Sequence, residues 1–102
     1  KGRNLYGLNY AKRSRSNVII LCEGYMDVIS LHQAGFTNTV APLGTAFTPN
    51  QAMLLKRYTN EVILSFDSDG AGIKAALRAL PILRQNGLRG RVLSMKPYKD
   101  PD

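Results

Sequence analysis

The sequence predicts an α/β fold: an open, mainly parallel sheet of four strands with helices on both faces. Two patterns carry the expectation. Short continuous apolar runs, the mark of strands buried on both sides, alternate along the chain with segments of helical spacing, in the order βαβαβαβ. That alternation calls for right-handed crossovers and places a ligand site at the carboxyl ends of the strands. With 102 residues, one small domain and one core have to account for everything.

The elements follow in order. Residues 1–17 carry Lys1, Arg3, Lys12, Arg13 and Arg15 with no acid and no sustained periodicity, and read as a basic connector from something upstream of a domain spanning 18–102. Val18, Ile19, Ile20, Leu21 and Cys22 form the first buried strand. Gly24 follows, and 25–34 reads as a helix with Met26, Val28, Ile29 and Leu31 inward and Gly35 as its stop. A second strand is expected at 39–42. Thr48, Pro49 and Gln51 supply an N-cap, a first-turn proline and a capping-box partner, which predicts a helix over 49–58.

Residues 61–66 make the third strand. Ile73, Ala76, Leu77, Leu80 and Leu83 then recur at helical spacing as far as an Asn86-Gly87 stop, with a kink expected at Pro81. A fourth strand over 91–95 leads through Lys96-Pro97 to Asp100-Pro101-Asp102. No internal repeat or low-complexity tract interrupts the pattern.

Composition narrows the function classes. Fourteen Lys and Arg against seven Asp and Glu give a formal charge of +7, which favours a polyanionic partner such as nucleic acid. No apolar run approaches the roughly 20 residues that a membrane-spanning helix needs, and no charged-then-apolar opening suggests a secretory signal. Cys22 stands alone, without a disulfide mate or a CxxC partner for zinc, as expected of a protein in a reducing cytoplasm.

The acids are distributed unevenly. Of the seven, Glu23, Asp67, Asp69, Asp100 and Asp102 fall just after the first, third and fourth predicted strands, which end on one edge of the sheet. Singly, the aspartates serve equally well as turn formers and helix caps. Capping does not, however, require acids at three different strand ends. Mutually repelling carboxylates become tolerable when hard divalent cations sit among them, and an oxygen-only set without His or Cys indicates Mg²⁺ or Mn²⁺ over zinc.

Asp67-Ser68-Asp69-Gly70-Ala71-Gly72 opens like an EF-hand loop, but Arg78 stands where the bidentate Glu is needed and a strand replaces the leading helix. No GxxxxGK[ST] loop is present. Gly70 and Gly72 permit a tight strand-to-helix turn that turns backbone N–H groups toward a phosphate, and Gly44-Thr45 offers a second such loop. Phosphate beside amides, with metals on adjacent acids, suits in-line displacement at phosphorus.

At this point the residues match a family. Glu23-Gly24-Tyr25-Met26-Asp27-Val28 resembles the first signature of the toprim domain as it occurs in bacterial replicative primases, and Asp67-Ser68-Asp69-Gly70-Ala71-Gly72 resembles the second. Lys99-Asp100-Pro101-Asp102 is similar to the third acidic pair, and both the opening residues 1–8 and the segment 41–46 are similar to primase as well. Ser68 stands where Gly is often found. The resemblance implies that Glu23, Asp67 and Asp69 form the metal centre, with Asp27, Asp100 and Asp102 contributing, and that Lys1 and Arg3 lie on a basic surface near nucleotide or template. It further implies templated transfer of nucleotides from ribonucleoside triphosphates to an RNA primer on single-stranded DNA. It also implies a zinc-binding module, a basic upstream portion and a replicative-helicase-binding end outside this stretch.

The remaining residues read more plainly. Lys74 and Arg78 lie four apart, pointing away from the apolar stripe, where they could touch nucleic-acid phosphate but read first as a solvated face; His32 is a mid-helix structural residue and Cys22 is inert core. A toprim nuclease or a piece of a type IA topoisomerase would share the metal site, but the Lys-Gly-Arg opening and the Lys-Asp-Pro-Asp ending disfavour both. A receiver-type signalling domain predicts an acidic pair after the first strand and a lone Asp after the third. This chain has the reverse.

Overall fold

A computed structural model of the chain describes residues 5–13, 17–42, 46–66 and 70–93. Its elements are β1 (Leu5–Tyr6), α1 (Leu8–Ala11), β2 (Val18–Cys22), α2 (Tyr25–Gln33), β3 (Thr39–Pro42), α3 (Pro49–Lys56), β4 (Glu61–Ser65), α4 (Gly70–Gln85) and β5 (Arg89–Val92). The sheet order is β1-β3-β2-β4-β5, with β3, β2, β4 and β5 mutually parallel and β1 antiparallel to β3.

The parallel α/β architecture is as expected, but there are five strands where the pattern predicts four. The extra strand is β1, which pairs Leu5 with Pro42 and Tyr6 with Ala41. Two residues are too few to show a period, so nothing in 1–17 announces it. What fastens the segment is tertiary: Leu5 and Ala11 are buried in the main core. Between them Gly7 adopts φ +88, where a Cβ would come within 2.7 Å of the Thr39 carbonyl oxygen.

Side chains alternate across the sheet, as the period of two requires. Ile19 and Leu21 of β2, with Val40, Val62 and Leu64, meet Ala52 and Leu55 of α3 and Ala76, Ala79 and Leu83 of α4. Ile20, Cys22 and Ala41 face the other way, toward Val28 and Leu31 of α2. Both faces are therefore covered, which explains the continuous apolar runs of the central strands.

Local signals fix most element ends. The Thr48 hydroxyl accepts from the Gln51 N–H at 3.1 Å, and the Thr48 N–H donates to the Gln51 side-chain oxygen at 3.0 Å, completing the expected capping box. Gly87, at φ +78, ends α4 with the Leu88 N–H donating to the Leu83 carbonyl, and Gly35, at φ +99, follows α2 in the same manner. The helix α4 runs through Pro81 to Gln85.

Three details depart from the sequence reading. Met26, expected inward, is 63% exposed. In α4 the buried stripe is Gly72, Ala76, Ala79 and Leu83, while Ile73 and Leu77 are exposed. A helix pressed against a sheet buries an arc of about 100°, and here the crossover turns the small residues inward and leaves two larger ones on the flank. The last strand begins at Arg89, two residues early, because the Arg89 N–H bonds to the Asn60 carbonyl and starts the ladder there; residues 94–102 lie outside the described residues.

Candidate metal and phosphate-transfer site

In the sheet, α2 leaves β2 over one face and α4 leaves β4 over the other, although β2 and β4 are neighbours. The crevice outside their carboxyl ends is therefore a topological switch point, where open α/β sheets bind ligands. The register brings Cys22 opposite Ser65. Glu23 follows on one strand and Phe66 on the other, so the chain enters Asp67-Ser68-Asp69 from the residue beside Glu23's own strand end.

Glu23 is exposed at this edge, and Gly24 then caps α2 in an extended conformation (φ −141, ψ 166). Asp27 lies in the first turn of α2, exposed, where the helix dipole favours a negative charge. Both carboxylates act on one internal probe. The Cys22 thiol is fully buried, and its pKa is pushed from the ordinary 9.0 up to about 12 by burial first, then by the negative charges of Asp27 and Glu23, against the opposing effect of a hydrogen bond with Ser65. The thiol is thus protonated at neutral pH and unsuited as a nucleophile or metal ligand. What faces the crevice is hard oxygen, and those donors fit Mg²⁺ or Mn²⁺.

Of the residues singled out by sequence, the structure brings Glu23 and Asp27 together at the β2 edge and places Gly70 and Gly72 in the first turn of α4. Gly70 is exposed and a Cβ there would meet nothing within 4 Å, while Gly72 is buried and belongs to the packed stripe. Lys1, Arg3, Gly44, Thr45, Asp67, Asp69, Asp100 and Asp102 lie outside the described residues. Among the described residues no group of three or more His, Cys, Asp or Glu side chains is placed to hold a metal ion.

A cavity of about 190 Å³ opens between this edge and α4, lined by Glu23, Phe47, Phe66, Ala75, Arg78 and Ala79 among others. Arg78 is exposed, as is Lys74, in agreement with the sequence reading, and it also lines this cavity with Glu23. The signal was available as the spacing 75, 78, 79 and 82, a second helical stripe beside the buried one. A larger cavity, about 780 Å³, lies by β1, α1 and the end of α2, where Tyr10 and His32 line it. There the His32 ring nitrogen Nε2 lies 3.1 Å from the Thr39 carbonyl oxygen and the ring meets Tyr10 edge-on, the structural role expected of it. That cavity is at the amino end of β3, away from the acids.

Comparison with known proteins gives the family and the fold. The family model described as Toprim-like matches residues 20–102. A DNA primase of Clostridium acetobutylicum is 53% identical over 103 residues, covering 100% of this chain and 17% of the relative. The chain superposes on the Aquifex aeolicus primase (zinc-binding and RNA polymerase domains) with a TM-score of 0.90 at 43% identity, covering 94% of this chain and 24% of that one. A DnaG primase catalytic domain bound to single-stranded DNA matches with a TM-score of 0.82 at 40% identity, covering 92% of this chain and 32% of that one. The chain thus spans about a sixth of the length of the curated relatives it matches. Among the described residues no helix is long and apolar enough to cross a membrane.

Proposed function

The chain belongs to the Toprim-like family, and from that membership we propose that it is the metal-binding part of a primase catalytic core, acting in templated RNA primer synthesis. The observation that carries the reading is the placement of Glu23 and Asp27 at the switch-point crevice, next to the strand end that leads into Asp67-Ser68-Asp69.

Glu23, Asp67 and Asp69 are the residues that would hold divalent metal, with Asp27, Asp100 and Asp102 contributing. Bound there, Mg²⁺ or Mn²⁺ would lower the barrier to in-line displacement at phosphorus by neutralising charge on the attacking and leaving oxygens. The chain's own residues do the rest. Carboxylates that follow the strands in sequence would orient the reacting groups, and the buried, protonated Cys22 before Glu23 adds no competing nucleophile. Backbone N–H groups at the start of α4 and in the Gly44-Thr45 loop receive phosphate oxygens, and Lys1 and Arg3 extend a basic track for template and nucleotide.

The substrates on this reading are ribonucleoside triphosphates and a single-stranded DNA template, the product is an RNA primer, and the replicative helicase is engaged through regions outside this stretch. A concentrated basic surface is available only in the first fifteen residues. The isolated chain will therefore bind single strands weakly and with strong salt dependence, and will not make primers at a useful rate. The test is a primer-synthesis assay on a protein of catalytic-core length carrying this sequence, with circular dichroism on the same samples. Glu23→Gln should abolish synthesis and leave the fold intact, because losing a charge relieves repulsion in the empty site. A folded, fully active Glu23→Gln protein sinks the proposal.

A further inference from the structure

We infer that Arg78 binds the triphosphate of the incoming nucleotide, at the cavity it shares with Glu23. The inference rests on the nucleotidyl-transfer reading above and extends it to a residue outside the acidic motifs. Arg78 and Glu23 come from different elements, α4 and the end of β2, yet line the same space of about 190 Å³. Phe47, Phe66 and Ala79 also line it, while Arg78 and Glu23 are themselves exposed, so both charged groups are reached from solvent at its mouth, as a nucleotide arriving from outside requires. Ala75, one turn before Arg78, and Ala79, next to it, line the same cavity and add almost no bulk beside the Arg78 side chain.

The chemistry selects phosphate. Among the described residues the salt bridge present joins Arg91 to Glu61, and Arg78 takes no part in one. A cation beside an acidic edge has two possible partners, the carboxylates or an anion brought in with the metal. A nucleoside triphosphate carries more negative charge than its metal contacts neutralise, and the planar fork of Arg matches two phosphate oxygens at once. In phosphoryl-transfer sites charge of this kind is met by Arg or Lys clamps as well as by metal. Lys74 is also on α4 but does not line the cavity, and so is not assigned this role.

The experiment compares Arg78→Ala, Arg78→Lys and Glu23→Gln in a protein of catalytic-core length, measuring primer synthesis against nucleotide and template concentration and Mn²⁺ binding by titration. Arg78→Ala should raise the KM for nucleotide about 10- to 100-fold, the range of a lost hydrogen bond to a charged group, with a smaller change in kcat and in the KM for template. Arg78→Lys should recover part of that loss, since it keeps the charge without the fork. Mn²⁺ affinity should stay within about twofold, because a counter-ion of the carboxylates, not a phosphate ligand, would tighten metal binding on removal.

An unchanged nucleotide KM in Arg78→Ala, a shift confined to template, or tighter Mn²⁺ binding without a nucleotide effect would each overturn the assignment. If Glu23→Gln is inactive while Arg78→Ala keeps its nucleotide KM, the Arg78 assignment alone fails. A fully active Glu23→Gln protein overturns the nucleotidyl-transfer reading and the assignment with it.

Discussion

The two edges of the sheet are built on opposite principles. At the amino edge, polar side chains are spent on backbone. Asn38 donates to the Val18 carbonyl at 2.7 Å, Thr39 to the Phe36 carbonyl at 2.8 Å, the Thr59 hydroxyl to the Asn17 carbonyl, and the Glu61 N–H to Thr59 at 3.1 Å. Gly7 is jammed against the Thr39 carbonyl. At the carboxyl edge, among the described residues, the Glu23 and Asp27 carboxylates are exposed, and Gly24 and Gly70 have nothing within 4 Å of where a Cβ would stand. A glycine with no room is required by the fold. A glycine with open space in an allowed conformation is not held there by packing, although Gly24 also serves as the N-cap of α2.

The sharpest way to break this contrast is to change charge at the carboxyl edge and see whether stability or activity moves. In the catalytic-core protein Glu23→Gln should lower primer synthesis by about 10²-fold or more, the scale of losing one electrostatic contact to the reacting centre, while thermal unfolding without metal shifts slightly upward or stays put. For the isolated chain, Mn²⁺ should raise the midpoint of thermal unfolding by linkage. The double change Asp67→Asn with Asp69→Asn should remove most of that rise. An undiminished rise in the double variant would take the metal away from these residues.

Next in size is the amino edge. Gly7→Ala places a Cβ 2.7 Å from a backbone oxygen at a φ of +88, and should destabilise by about 2–4 kcal/mol, the sum of backbone strain and a displaced strand contact. Urea unfolding measures it, and a cost below about 1 kcal/mol would mean that the amino edge is looser than described.

A smaller and pH-dependent effect comes from Cys22. Its pKa is higher folded than unfolded, so the folded state favours the protonated thiol. That contribution is intact below pH 9.0 and is lost as the pH rises toward about 12. Stability should therefore fall through the alkaline range more steeply for the parent than for Cys22→Ala, once each is referred to its own value at neutral pH. At pH 8 a thiol reagent should label Cys22 only on unfolding. Rapid labelling of the folded chain would contradict its burial.

The smallest expected change is the most discriminating. Gly24→Ala, at φ −141 and ψ 166 with open space around it, should alter stability by no more than about 0.5 kcal/mol, as for an unconstrained surface change, yet reduce primer synthesis if substrate or metal approaches this backbone closely. Full activity in Gly24→Ala would remove the functional reading of the open glycine and leave the acids to carry the site alone.

Much of this was written in the chain. The parallel α/β order follows from periodicity, because a strand buried on both faces must be apolar throughout while a helix must repeat every three or four residues. Thr48, Gln51, Gly35 and Gly87 specify their own element ends through local hydrogen bonds and left-handed backbone, and Glu23 directly follows β2 as the sequence reading expects. Tertiary structure decided the rest. Whether Leu5–Tyr6 is a strand depends on Pro42 and Ala41, some 35 residues away. Which flank of α4 turns inward depends on how the crossover sets the helix on the sheet, and so does the cavity that Arg78 and Glu23 both line. Periodicity is a property of neighbours along one chain segment, whereas these contacts form only when distant segments pack, and packing is where the sequence stops speaking one residue at a time.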